Sequence, residues 1–123
     1  MCAAKAKVVH YTDVEAKVFG PTAPGVTIRW VIDEEHDDAP NYALRMIEVA
    51  PGGSTPEHEH PYEHENFVVD GTGKVLLGDE WHEVGPGSVV LVPADLHHCY
   101  ANTGDTPFRF LCGIPTPRLM KAG

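Results

Sequence analysis

The sequence predicts an all-β fold, a sandwich or small barrel built from about eight short strands. Two observations carry this. Eleven prolines and twelve glycines cut the 123 residues into short pieces rich in Val, Ile, Leu, Phe and Tyr, the rhythm of strands joined by tight turns. No stretch repeats its apolar residues every three to four positions over a helix's length.

In chain order the candidate strands are "VTIRWVID" (26–33), "YALRMIEVA" (42–50), "HENFVVDG" (64–71), "GKVLLGD" (73–79), "EWHEV" (80–84), "SVVLVP" (88–93), "HCYANT" (98–103) and "FRFLCGIP" (108–115). Between them "APGG", "DGTG", "LGDE", "GPG" and "NTGDTP" supply residues that accept positive φ or preset it near −65°. The acidic "DEEHDDAPN" (33–41) reads as a solvated connection. One domain is expected over 1–123, with a barrel core of about 42–115; the N-terminal segment 1–25 and the tail 116–123 are peripheral, flexible or packed on another subunit.

Composition narrows the function classes. Asp and Glu number 18 against nine Lys and Arg, a net charge of −9 with the basic residues scattered, which argues against nucleic acid and anionic membrane as partners. No apolar run reaches bilayer length, and three cysteines, Cys2, Cys99 and Cys112, lack metal-knuckle or redox spacing. The expectation is a cytoplasmic protein with reduced thiols.

The stretch "HEHPYEHE" (58–65) holds three histidines and three glutamates. In an extended chain His58, His60, Tyr62 and His64 share one face, and Glu59, Glu63 and Glu65 the other, although Pro61 interrupts the run. Three imidazoles on one wall are three corners of a metal site, and His98 in "PADLHHCYAN" can close it from a neighbouring strand. His97 points away from His98; His10, His36 and His82 read as surface residues.

Both stretches resemble the two motifs of the cupin family. The first runs from Gly52 through His58 and His60 to His64 or Glu65 and on to Gly71; the second comprises Gly87, Pro93, His98 and Asn102, with Asp95 where the family usually has glycine. The resemblance spans about Tyr42 to Pro115. It implies a cupin-type (RmlC-like) jelly-roll β-barrel holding one divalent metal at its mouth through three histidines and a fourth ligand. His64 is that fourth ligand by spacing to Gly71 and by parity with Asn66 and Val68; Glu65 is the alternative. Imidazole donors suit zinc, copper, iron and nickel; the resemblance favours manganese or iron and admits nickel, copper, cobalt or zinc.

Alternation proposes the walls of the cup. Phe108, Phe110, Cys112 and Ile114 share the face that excludes Arg109. Tyr100 follows His98 by two and faces inward, as either a pocket wall or a core filler. Arg45 shares its face with Ala43, Ile47 and Val49, and an arginine there needs an anion or an acidic neighbour. Arg45, Asn66, Tyr100, Phe110 and Cys112 are thus the candidate substrate-binding residues. The leading expectation is an enzyme, a dioxygenase-like oxidoreductase on a small, anionic organic substrate; the alternatives are a non-redox isomerase or lyase on a sugar or keto acid, and a non-catalytic ligand-binding barrel. A homodimer is expected, with "VTIRWVID" and Trp30 as the candidate edge.

Overall fold

The computed structural model describes residues 4–120; Cys2 and the end of the tail lie outside the described residues. All eight expected strands form, within two residues of their predicted ends: β2 (Val26–Ile32), β3 (Tyr42–Val49), β4 (His64–Asp70), β5 (Gly73–Leu77), β6 (Glu80–Val84), β7 (Val89–Val92), β8 (His98–Asn102) and β9 (Phe108–Pro115). A ninth, β1 (Lys17–Val18), precedes them. They pair antiparallel into a six-stranded sheet, β1-β2-β3-β9-β4-β7, and a three-stranded sheet, β6-β5-β8. The architecture is the expected jelly roll.

The core follows from period-two alternation. Strand β9 buries Phe108, Phe110, Cys112 and Ile114 and turns Arg109, Leu111 and Gly113 outward. The β3–β9 ladder places Val49 opposite Phe108, Ile47 opposite Phe110, and Arg45 opposite Cys112. On the other side of β9, Val68 pairs with Phe110 and Asn66 with Cys112. Tyr100 of β8 stacks on Phe110 with ring centroids 4.2 Å apart. The barrel floor is therefore apolar and aromatic, and along β4 the inward side chains change from Val68 through Asn66 to His64.

Three features differ from the sequence reading. Strand β2 is not a bare edge, because Lys17 and Val18 pair with Ile28 and Thr27. The N-terminal segment packs on its own barrel: the Arg29 guanidinium donates to the carbonyls of Thr12 and Val14, and Lys7 pairs with Asp37 at 2.7 Å. The acidic connection contains a helical turn, α1 (Glu34–Asp37), capped by Asp33, whose carboxylate accepts from the His36 amide at 2.8 Å. A second helical turn, α2 (Pro117–Met120), follows β9. Asp33, Glu35 and His36 cluster at α1, but the Asp33 carboxylate is already engaged by the cap and by the His36 ring at 2.9 Å.

Candidate metal centre and substrate cup

The first histidines are carried by an irregular strand laid beside β8. Thr55 donates its amide to the Tyr100 carbonyl at 2.8 Å. His58 and His98 exchange both backbone hydrogen bonds, at 3.1 and 3.0 Å. Pro56 and Pro61 lack the amides that a continuous ladder would need, so pairing is limited to isolated bridges. Exposure still alternates from His58 to Glu65, with Glu59, Pro61, Glu63 and Glu65 outward and His58, His60, Tyr62 and His64 turned in.

Donor atoms of His58, His60 and His98 all lie within 4.8 Å of one another. His64 joins them less tightly, its ring centroid 4.9 Å from that of His60 and 5.1 Å from that of His98. Its Nε2 is buried without a hydrogen-bond partner. Nδ1 of His98 lies 2.8 Å from the Leu96 carbonyl oxygen, which can only accept, so Nδ1 carries the proton and Nε2 keeps its lone pair. Burial, reinforced by the crowding of the imidazoles on one another and by Arg45, lowers the other imidazoles: His58 falls below its usual value, His60 to about 4 and His64 to about 3. Neutral rings with free lone pairs are the protonation state that a metal requires, and the donor atoms of His58, His60 and His98 lie close enough together to hold one ion.

Glu65 points the other way. It is exposed and lines, with Leu44 and Gly113, a cavity of about 930 Å³ outside the barrel. His97 also faces out, 2.8 Å from the Glu57 carboxylate, and His10, His36 and His82 are exposed.

The five candidate substrate residues all turn into the barrel. The Arg45 guanidinium donates to the Cys112 sulfur at 2.9 Å and lies 5.4 Å from the centre of the Trp30 ring. No carboxylate pairs with it among the described residues, and its Nε is buried without a partner. Asn66 donates to the Tyr100 hydroxyl, leaving Asn66 Oδ1 buried and unpartnered. Burial pushes the Tyr100 hydroxyl and the Cys112 thiol up, so both stay protonated. Three unpartnered buried polar atoms, on Arg45, His64 and Asn66, thus belong to side chains turned into the same cup.

Sequence reasoning missed three contributors. Trp30, expected at an edge, packs against the core beside Arg45, and its alternation with Val26 and Ile28 is the signal that would find it. Tyr62, placed on the histidine face by parity but given no role there, stacks on His60 at 4.7 Å and on His64 at 5.5 Å. The Leu96 carbonyl that sets the His98 tautomer had no sequence signal. Asn102 is structural: its amide donates to the Val49 and Thr106 carbonyls at 2.9 and 2.8 Å, clamping the turn after β8.

The fold is a β-barrel with a histidine cluster on one wall that could hold a metal ion, and the comparisons define its family. The cupin domain profile matches residues 45–114, and the chain belongs to the cupin domain family. It is 31% identical to protein SchB of Streptomyces halstedii, over 93% of this chain and 82% of that one. Among solved structures it resembles the polyketide cyclase RemF of Streptomyces resistomycificus, with a TM-score of 0.83 and 38% identity over 90% of this chain and 80% of that one. It also resembles an oxalate decarboxylase of Lactobacillus farciminis, solved as a formate complex, with a TM-score of 0.75 and 26% identity over 88% of this chain and 32% of that one. No helix among the described residues is long and apolar enough to cross a membrane.

Proposed function

We propose that the chain is a metal-dependent cupin enzyme that closes a ring in a small, enolisable polycarbonyl anion, a cyclase of the kind that the RemF name describes. The observation that carries this is the cup itself: neutral imidazoles, a buried guanidinium without a carboxylate, and an amide oxygen without a donor, set above an aromatic floor. The 38% identity to a polyketide cyclase supports the substrate class.

His58, His60, His64 and His98 would hold one divalent ion. Four imidazoles suit zinc, iron, nickel or copper, and manganese stays open to metal analysis. Bound there, the ion supplies Lewis acidity that polarises a carbonyl. Arg45 neutralises the charge of an enolate or carboxylate, a strong role for a desolvated guanidinium. Asn66 Oδ1 accepts from an enol hydroxyl, and Tyr100, held protonated, donates to a carbonyl oxygen. Phe108 and Phe110 exclude water from the folded chain. Aldol closure with dehydration forms one C–C bond and releases one water, with no net oxidation.

The second reading is dioxygenase-like oxidation of a similar anion, favoured by the neutral imidazole set and by the outward placement of Glu65, the one carboxylate considered as a ligand or base. An isomerase or lyase, or a binding barrel without catalysis, are weaker readings; the formate complex of the decarboxylase relative fits a small anion near Arg45. The buried free thiols Cys99 and Cys112 suit the cytoplasm. A homodimer through the outer face of the six-stranded sheet, where Phe67, Val89 and Leu91 are exposed, completes the proposal.

The experiment is incubation of metal-loaded protein with a linear poly-β-ketone acid, following aromatic absorbance, product mass and oxygen uptake together. A product lighter by one water, formed without oxygen consumption and lost in His60→Ala, supports cyclisation. Stoichiometric oxygen uptake transfers the conclusion to the oxidative reading, and no turnover of either kind rejects both.

A further inference from the structure

We infer that Cys112 is a positioning residue: its sulfur accepts hydrogen bonds from both the Arg45 guanidinium and His64 Nδ1–H, fixing the His64 ring with its Nε2 lone pair turned into the histidine cluster. This rests on the metal-site reading above. It replaces a substrate-binding role for Cys112 with one exerted through His64.

Cys112 Sγ lies 2.9 Å from an Arg45 terminal nitrogen, a short contact for an N–H donor to sulfur, and 3.3 Å from His64 Nδ1. Arginine can only donate, so the sulfur is already an acceptor on one side. Two arrangements remain for the His64 contact. If the thiol donated to Nδ1, the proton would sit on Nε2, and a buried N–H would be left without an acceptor in the middle of three other imidazoles. If Nδ1 donates to sulfur, Nε2 presents a lone pair to the point at which His58, His60 and His98 converge. The second arrangement leaves an unsatisfied acceptor that a cation relieves.

Metal-bound histidines commonly donate their second N–H to a carboxylate, a carbonyl or water. His98 does so through Leu96. At His64 a sulfur takes that place, and Arg45 orients the sulfur. The arrangement depends on the β3–β9 ladder, which sets Arg45 directly opposite Cys112. It also places the orienting guanidinium beside the cup, where a substrate anion competes for the same group.

The test uses the full chain labelled with nitrogen-15 in its histidines, together with zinc affinity by chelator competition. In metal-free wild type the His64 signal, assigned by its loss in His64→Ala, is expected as the Nδ1–H tautomer, moving towards Nε2–H in Cys112→Ala. Zinc binding is expected to weaken about 10- to 100-fold in Cys112→Ala and to stay within about threefold in Cys112→Ser, which keeps an acceptor. In the His64→Ala background, Cys112→Ala is expected to have no further effect. Cys112→Val, which keeps volume without the acceptor, stands in if the alanine variant fails to fold. An Nε2–H tautomer in wild type, or equal zinc losses in both backgrounds, overturns the inference. Wild type that takes up no zinc while His64 remains Nδ1–H overturns the metal reading alone and upholds the hydrogen bond.

Discussion

His58 and His98 are tied backbone to backbone, each amide donating to the other's carbonyl at 3.1 and 3.0 Å, with their rings 4.9 Å apart. The bridge joins the two sequence motifs, whose histidines are 40 positions apart in the chain. Its hydrogen bonds use main-chain atoms, so the frame does not depend on the imidazoles it carries.

That separation makes a clean prediction. His58→Ala and His98→Ala should fold, with far-ultraviolet dichroism like wild type, yet bind zinc or cobalt about 100-fold more weakly or worse. Circular dichroism and chelator competition on the same samples check both halves.

Removing metal should expose an acid sensitivity. His60 and His64 have folded values of about 4 and about 3, below the ordinary 6.5. The unfolded chain therefore takes up protons first as pH falls through 6.5, and the metal-free fold weakens until the folded values are passed. Melting of chelator-treated protein should drop between pH 6.5 and 4. A His60→Asn, His64→Asn double variant should show a shallower fall over the same window, and protons should displace metal in the same direction.

The turn before β8 gives a third prediction. Asp95 holds φ +67, and its amide donates to the His60 carbonyl at 2.6 Å. A non-glycine residue pays for this left-handed conformation. Asp95→Gly should raise stability by up to about 1 kcal/mol in urea unfolding, or leave it unchanged, without loss of metal.

Gly71 should tolerate nothing larger. It holds φ +80, and an added Cβ would meet the Pro107 carbonyl and approach the Phe108 Cα to 2.9 Å, both main-chain atoms with little room to yield. Gly71→Ala should cost about 2–4 kcal/mol, read as a lower urea midpoint at constant slope.

Most of the frame was legible because it is local. Alternation in "FRFLCGIP" placed Phe110 and Cys112 inward, and the parity of "HEHPYEHE" turns in His58, His60 and His64 even though Pro61 breaks the ladder. Strand β1 was not legible, since two residues cannot show a period and Lys17 and Val18 are defined by the partners they meet. The turn at Glu34–Asp37 has a sequence signal of its own, an Asp33 cap ahead of an acidic first turn. Asp95 departs from the expected glycine in identity while keeping a glycine-like backbone. The surroundings of Arg45 were beyond reach: Trp30 and Cys112 come to it only through the β2–β3 and β3–β9 registers, which are long-range pairings.

The most direct measurement is elemental analysis of untagged protein purified without chelator, for wild type, His64→Ala and Glu65→Ala. Close to one transition-metal ion per chain in wild type and in Glu65→Ala, with a marked loss in His64→Ala, is the predicted result. A wild type free of bound metal, or a metal content lost with Glu65 and kept without His64, would contradict the four-histidine centre.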